Sequence, residues 1–482
     1  MLGHELGSGH ADHVNGREPA VERGGEDPGH TVPSSGVSVI VEVLTALAMS
    51  DDATAPNAEC DTSSNCRRRH LRCAPRHPVP RALPVSASPP LDGGSLAALT
   101  DAFLATHTPG SMDDLEFLRA RFDAGLAVVS QPAGLGGLGA SAELQEQVDL
   151  AFANAGSPDN RSAYNIIGLG MAAPTLLRFG TSAQQQRWLR PLWTGENIWC
   201  QLFSEPGAGS DLASVATSAV RTEAGWVING QKVWTSLAHE ASFALLLART
   251  DPDAPKHRGM SYFVVDMFSP GVDVRPLRQV TGETEFNEVF LTDVLVPEEN
   301  RLDEVGNGWK VATGTLMNER MALGAATPPR EGGPIGSLTD LWRTRPDLRR
   351  PALHDRVLRL WVQAESLRLM AARLRQQQLA GQPGPEGSGA KLAYAQLAQE
   401  TSSLELDLLG DEGLRYDDWT ARRPEIGDLG DRTAGFRYLR AKGNSIEGGT
   451  SEVMRNIIAE RVLGLPPGPR PDRDTPWKEL PR

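Results

Sequence analysis

The spacing of apolar residues changes twice along the chain and divides it into three folded stretches. From residue 93 to 197 apolar residues recur at intervals of three and four, which is the period of a helix. The clearest series comprises Leu115, Leu118, Phe122 and Leu126. Short β-prone runs follow over 198–303, and the helical period returns over 304–465. This order predicts an α+β fold with an N-terminal helical domain, a middle antiparallel β domain and a C-terminal helical bundle.

The middle stretch is expected to contain a β-hairpin. Asn229 and Gly230 separate two β-prone runs, 226–228 and 232–234. Asn-Gly in this setting is the strongest short signal for a type I′ turn, because both central residues of that turn need positive φ. Further strands are predicted over 243–248, 261–266, 272–276 and 289–296.

The C-terminal stretch predicts two long core helices, over 358–379 and 391–409, and a last helix that ends at Gly464. Residues 1–92 are rich in Gly, Pro, Ser, His and Arg and show no sustained period, so a disordered or loosely attached tail is expected there. Residues 466–482 are interpreted as a second tail.

Composition and charge argue against several classes of function. The 482 residues carry a formal net charge of −13, which argues against a general binder of nucleic acid or anionic membranes. The apolar run 37–49 is too short to span a bilayer, so no membrane segment is expected. Cys60, Cys66 and Cys73 indicate no disulfide framework and match no common zinc spacing. A cytoplasmic protein without a metal site is therefore predicted.

A glycine-rich segment, WCQLFSEPGAGSDLAS at 199–214, is the most informative part of the sequence. Gly207 and Gly209 would let backbone N–H groups approach a ligand that a Cβ would keep away. Successive exposed N–H groups form an anion-binding nest, which suits a pyrophosphate or a flavin carbonyl. By composition alone the segment is equally an ordinary glycine-rich turn.

Three motifs together resemble the acyl-CoA dehydrogenase family. They are FSEPGAGSD at 203–211, NGQKVWTS at 229–236 and IEGGTSEVMRNIIAERVLGLP at 446–466. The resemblance is collinear over residues 101–465. Within the family, the sequence resembles an actinobacterial-type branch that carries TLMNER and SIEGGTSEVMRN. This resemblance implies the same three-domain fold, non-covalent FAD, and α,β-dehydrogenation of an acyl-CoA thioester with an electron-transferring flavoprotein as the electron acceptor.

The resemblance implies roles for residues of the two glycine-rich motifs. In the β domain, Phe203 and Ser204 would place donors against the flavin ring. Trp234 would pack on that ring, and Ser236 would bond near its N5 edge or a phosphate. By its residue type alone, Trp234 is also compatible with a strand aromatic in a core.

The other implied contacts lie at the junction of FAD and substrate. Gly209 and Ser210 would meet both the cofactor and the thioester, so Ser210 is also a predicted substrate contact. Gly448, Gly449 and Thr450 would approach the cofactor from the start of the last helix, where Thr450 is a plausible N-cap.

The reaction that the resemblance implies needs a glutamate base, which removes the Cα proton while a hydride passes from Cβ to flavin N5. Family members carry this base at one of two positions. The first corresponds here to Gly448, with Glu447 one residue earlier. The second corresponds to Glu319, directly before Arg320.

The local pattern favours Glu319 as the base, with Glu447 as the second choice. Glu319 lies three residues after Leu316 and four before Leu323, on the apolar stripe of a helix. A charge on such a stripe is costly unless it is functional or paired, and a buried structural ion pair is the alternative interpretation. Arg320 is predicted to line the substrate site.

The sequence also departs from the family pattern. The Arg-x-x-Phe-Gly segment that reaches the neighbouring subunit's FAD is not found, PPREGGP stands nearby at 328–334, and LLGDEG at 408–413 replaces Phe-Gly-Gly-x-Gly. The family forms dimers and tetramers, so a homodimer or tetramer is expected, with a heteromer as an alternative. Two other functions stay open: an oxygen-using oxidase or monooxygenase relative, and a non-catalytic partner subunit of a heteromeric dehydrogenase.

Overall fold

The structure is a computed structural model. It describes residues 91–324, 329–379, 384–416, 420–423, 432–470 and 472–481. For residues 319–324 and 378–379 it describes the backbone alone. The tail predicted over 1–92 lies, up to residue 90, outside the described residues.

Five helices form the N-terminal part of the described chain. They are α1 (Gly93–Thr106), α2 (Asp114–Asp123), α3 (Gln145–Asn154), α4 (Ala173–Phe179) and α5 (Ser182–Trp193). Polar side chains cap two of them in particular: Asp113 accepts the N–H groups of two first-turn residues of α2, and Thr181 begins α5 with a reciprocal capping box. The helical period predicted for this stretch is confirmed.

The middle part is one eight-stranded sheet. Its strands are β1 (Trp199–Leu202), β2 (Ser218–Thr222), β3 (Gly225–Ser236), β4 (Phe243–Arg249), β5 (Met260–Asp266), β6 (Val272–Pro276), β7 (Phe286–Val296) and β8 (Arg301–Leu302). The order is β6-β7-β3-β2-β4-β5-β8, with β1 paired to β4. All pairs are antiparallel except β1–β4 and a single β2–β4 pairing. The four later strand predictions are confirmed.

The predicted hairpin turn at Asn229-Gly230 is wrong, because β3 runs straight through both residues. The turn that joins β2 to β3 lies instead at residues 223–224. Asn229 bonds across to β7, where its side chain contacts Asp293 at 3.0 and 2.9 Å. Gly230 allows close approach rather than a turn, since a Cβ there would lie 2.4 Å from the hydroxyl oxygen of Thr217.

The described residues of the C-terminal part form six α-helices. They are α6 (Gly308–Gly324), α7 (Pro334–Thr344), α8 (Pro351–Leu379), α9 (Gly387–Leu409), α10 (Ala434–Ala441) and α11 (Ser451–Ile457). The predicted core helices form the greater part of α8 and α9, and Gly464 follows the last helical turn with a φ of 67°. Within the described ranges, no helix combines the length and apolar character needed to cross a membrane.

The two faces of the sheet bury two different cores. Alternate side chains of a strand point to opposite faces. Leu245 and Leu247 of β4 therefore join a core that the sheet shares with the N-terminal helices and α6. Leu246 of β4 and Phe263 of β5 join a second core on the other face. Helix α6 contacts the first core at Ala312, so this region is where all three parts of the chain meet.

Candidate functional site

A buried ion pair holds the glycine-rich loop that follows β1. Lys232 of β3 is 0% exposed, and its ammonium donates to Glu205 Oε1 at 2.8 Å. The same ammonium donates to the carbonyl oxygens of Phe203 at 3.0 Å and Leu247 at 2.9 Å. All three of its protons are therefore used, which is the condition under which a charge can be buried.

The Glu205 carboxylate ties the far end of the loop to its start. It accepts the backbone N–H groups of Ala216 at 2.6 Å and Thr217 at 2.9 Å. Burial alone would raise the pKa of Glu205, but the Lys232 ammonium and these N–H donors outweigh it and lower the pKa. The ionised carboxylate of Glu205 thus holds the two ends of the loop between residues 205 and 217 together on its buried side.

The fastening leaves the glycines of the loop facing outward. Gly207, Gly209 and Ser210 are exposed, and a Cβ built on either glycine would meet no protein atom within 4 Å. Neither glycine has positive φ. Within the described chain, neither packing nor backbone conformation therefore requires glycine at these two positions. The missing side chains instead leave room for a ligand to approach the backbone.

Trp234 presents an exposed aromatic ring beside this loop. The backbone N–H of Val233 donates to the carbonyl of Ser204 at 2.9 Å, which places Ser204 next to the end of β3. Trp234 has a φ of 59° and is 57% exposed. Its ring makes an edge contact with the ring of Phe286. Positive φ costs a bulky residue about 1–3 kcal/mol, and such strain clusters at ligand-binding sites.

The two residues after Trp234 differ in their exposure. Thr235 is buried, and its hydroxyl oxygen has no hydrogen-bond partner within the described part of the chain. Ser236 is half-buried at the end of β3. The Thr235 hydroxyl thus lies beneath the surface, and Ser236 is the residue of the two that a ligand can reach.

The second predicted glycine motif begins α11. Gly448 and Gly449 have φ values of 61° and 97°, the left-handed region that favours glycine. Thr450 caps the helix by accepting the N–H of Val453 at 3.2 Å. The Lys391 ammonium donates to the carbonyl of Gly449 at 2.6 Å, which fixes the turn against α9. The predicted cap at Thr450 is confirmed.

Charged residues bring the β domain and this motif together. Leu237, directly after β3, donates its N–H to the carbonyl of Glu285 at 3.0 Å. Burial alone would lower the pKa of Arg440 in α10, but its hydrogen bonds to Glu447 and the nearby charge of Glu285 raise it. Glu285, whose carbonyl bonds to the residue after β3, therefore lies near enough to Arg440 for their charges to interact. Sequence analysis had no signal for this link, because the partners are more than a hundred residues apart.

The Glu447 carboxylate is committed to neighbours of its own segment. It accepts from the Arg440 guanidinium at 2.9 and 3.2 Å and from the Asn444 amide at 2.7 Å. A general base must offer a lone pair to the proton that it removes. Three hydrogen bonds therefore hold the Glu447 carboxylate against its own segment.

Glu319 and Arg320 lie on α6, but their side chains lie outside the described residues. The helix places position 319 one turn after Thr315, which is fully buried. The Thr315 hydroxyl lies 2.9 Å from that of Thr175 on α4 and 3.0 Å from that of Tyr262 on β5. Position 319 thus follows the face of α6 that meets both other parts of the chain.

Comparison with known proteins covers most of the described chain. Three family models match: the acyl-CoA dehydrogenase N-terminal domain at 103–196, its middle domain at 200–294 and its C-terminal domain at 306–463. Acyl-CoA dehydrogenase FadE34 of Mycobacterium tuberculosis is 41% identical over 347 residues, which are 71% of this chain and 45% of that protein. The chain thus spans less than half the length of FadE34.

Two further comparisons cover nearly all of the other protein. Acyl-CoA dehydrogenase IpdE1 of M. tuberculosis is 37% identical over 348 residues, which are 71% of this chain and 86% of that protein. The crystal structure of the ChsE4-ChsE5 complex from M. tuberculosis aligns with a TM-score of 0.57 and 27% identity, over 80% of this chain and 100% of that one.

Proposed function

We propose that this chain, which belongs to the acyl-CoA dehydrogenase family, binds FAD and oxidises the α–β bond of an acyl-CoA thioester. FAD is the cofactor that the family indicates. The observation that carries the proposal is the surface formed by the loop after β1 and the end of β3. An internal ion pair fastens this surface, while its glycines and its strained tryptophan face outward.

The residues of this surface fit a flavin. Trp234 offers an exposed aromatic face, and stacking on such a face suits a planar ring. The open space at Gly209 admits a ligand to backbone N–H groups. Phe203, Ser204 and Ser236 would complete the β-domain side. Gly448, Gly449 and Thr450 would approach from the C-terminal side.

FAD, when bound, supplies the acceptor for the hydride that leaves Cβ of the substrate. The chain itself must hold the thioester and move the proton. Ser210 and the backbone N–H groups near Gly449 would donate to the thioester and its carbonyl, where negative charge develops. Glu319 would remove the Cα proton, and Arg320 would line the substrate site. An electron-transferring flavoprotein would then reoxidise the enzyme.

Product analysis tests the reaction class. We expect the purified protein, given straight-chain and branched acyl-CoA thioesters with an artificial electron acceptor in the absence of oxygen, to form the α,β-unsaturated thioester. Hydrogen peroxide formed in air at the rate of product formation would identify an oxidase instead. A hydroxylated product would identify a monooxygenase, and either result would overturn the dehydrogenase proposal.

A heteromer is the second candidate arrangement. The similarity to the ChsE4-ChsE5 complex favours this arrangement. The hydrogen bonds that occupy Glu447 also favour it, because this residue stands beside the first of the two family positions for a base. In this arrangement the chain would be one subunit of a two-chain dehydrogenase. Absence of flavin in the chain expressed alone, with flavin gained on co-expression of a homologous chain from the same genome, would support it over the homo-oligomer.

Replacing Trp234 by glycine separates cofactor binding from stability. We expect Trp234→Gly to weaken FAD binding roughly three- to tenfold, because the stacking face is lost. The free energy of unfolding of the flavin-free protein should change by less than about 1 kcal/mol, since relief of positive φ offsets the lost contact with Phe286. Fluorescence titration with FAD and urea unfolding measure the two effects.

Phe268 supplies the matched control for this variant. It is an 80% exposed aromatic of the same domain, outside the predicted site. Phe268→Gly should leave the FAD affinity unchanged. Equal FAD affinity in Trp234→Gly and the unmodified protein would remove Trp234 from the cofactor site.

A further inference from the structure

The chain continues past its last helix and returns to the β domain. Residues 472–481 lie beyond the region that the family model matches, which ends at residue 463. The backbone N–H of Trp477 donates to the carbonyl of Ala254 at 3.0 Å, and that of Lys478 donates to the carbonyl of Pro252 at 3.0 Å. These residues, named here the C-terminal strap, therefore pair with the loop between β4 and β5.

Trp477 covers a buried arginine that holds the glycine-rich loop. The indole ring is 8% exposed and lies 4.7 Å from the guanidinium carbon of Arg249. Arg249, 3% exposed, donates to the carbonyls of Ala213 at 2.6 Å and Val215 at 3.2 Å. The indole N–H also points to the carbonyl of Ser214 at 3.4 Å. Trp477 thus closes the far side of residues 213–215.

A second contact of the strap reaches the start of the same segment. The Lys256 ammonium bridges Asp472 of the strap at 2.5 Å and Asp211 at 2.9 Å. Asp211 directly follows Ser210, one of the predicted cofactor and substrate contacts. The strap therefore acts on residues 211–215 at both ends, once through Lys256 and once through Arg249.

We propose that the C-terminal strap is a positioning element for the flavin site, with Trp477 acting through Arg249 on residues 211–215. The loop after β1 is fastened from beneath by Glu205 and Lys232, and the strap fastens it from the other side. The segment that carries Gly209 and Ser210 is thereby preorganised for its ligands, which lowers the cost of ordering it on binding. This inference rests on the proposed function, since it concerns the same site.

The test compares Trp477→Ala with the intact protein by two measurements. In flavin-free protein, the amide protons of residues 214–217 should exchange with deuterium about tenfold faster in the variant, because a desolvated cation–π contact is lost. FAD binding should weaken by a similar factor, about tenfold. Loss of this buried indole should also lower the urea midpoint of global unfolding, so both measurements are made without denaturant.

Three further variants separate positioning from a general loss of structure. Trp477→Phe keeps a ring over Arg249 and should restore most of the FAD affinity. Lys478→Ala removes an exposed pair with Asp253 in the same strap and should change neither measurement. If Trp477→Ala does not fold, Asp472→Asn, which weakens the bridge to Asp211, should show the same two changes at smaller size.

The outcomes distinguish this proposal from the function on which it rests. Unchanged exchange at residues 214–217 together with unchanged FAD affinity in Trp477→Ala and Asp472→Asn would overturn the strap. An intact protein that binds no FAD would overturn the proposed function, and the exchange measurement would then still decide whether the strap orders the loop.

Discussion

Glu319→Gln is expected to stop the reduction of bound flavin by acyl-CoA while leaving the flavin bound. A positioned general base contributes roughly 10²- to 10⁴-fold to rate, and glutamine cannot take the Cα proton. The amide keeps the size of the carboxyl, so the helix should stay intact. The rate of flavin bleaching after anaerobic mixing with acyl-CoA measures the effect, and flavin absorbance before mixing checks that the cofactor is retained.

Glu447→Gln is the matched control for this prediction. The Glu447 carboxylate already accepts from Arg440 and Asn444, so its role is to hold the turn before Gly448. We expect bleaching to slow by no more than a few-fold in this variant. The loss of one partly exposed ion pair usually costs only about 0–1 kcal/mol, so the neighbouring turn should keep its conformation. Normal bleaching in Glu319→Gln together with abolished bleaching in Glu447→Gln would reverse the assignment of the base.

Lys232→Met is expected to lower the free energy of unfolding by about 3–5 kcal/mol, the usual cost of leaving one member of a buried ion pair without its partner. The ammonium of Lys232 is buried among the Glu205 carboxylate and two carbonyl oxygens, so methionine fills the space but supplies no donor. Urea unfolding at neutral pH measures the loss. FAD affinity should fall as well, because Glu205 would no longer hold the loop.

The pH dependence of stability gives an independent check of the Lys232–Glu205 pair. The folded pKa of Glu205 is lowered, so its contribution is present above the unfolded value of about 4.3 and is lost as pH falls through the folded pKa. In Lys232→Met the buried carboxyl favours its protonated form, so the loss of stability should shrink in acid. Lys232→Met with Glu205→Gln should recover part of the stability. An equal loss at every pH would show that the pair is not ionic.

The three-part order of the fold could be predicted because periodicity is a local property. Helices α8 and α9 carry apolar residues at helical spacing, and β4 and β5 are short continuous apolar runs, both of which can be recognised within the segment itself. The turn at Asn229-Gly230 could not be judged in the same way. Its asparagine bonds to Asp293 of β7, and its glycine admits Thr217, the residue before β2, so both partners come from other parts of the chain.

The residues of the candidate site likewise divide into those that the sequence predicts and those that it does not. Gly209, Trp234 and Gly449 could be proposed because they lie in motifs that resemble those of the acyl-CoA dehydrogenases. The groups that hold them in place come from far along the chain: Lys232 for Glu205, Arg440 for Glu447, and Trp477 for the segment after Ser210. Such pairs leave no periodic trace in a sequence, and the sequence of residues 466–482 predicts only a tail.

The central claim is that the loop after β1, the end of β3 and the start of α11 border one flavin site that acts on acyl-CoA. The most direct measurement is the visible absorbance of the purified wild-type protein, before and after an acyl-CoA thioester is added without oxygen. We predict one FAD per chain and bleaching of its absorbance by the thioester. A protein that neither purifies with flavin nor takes up added FAD, alone or with a partner chain, would contradict the claim.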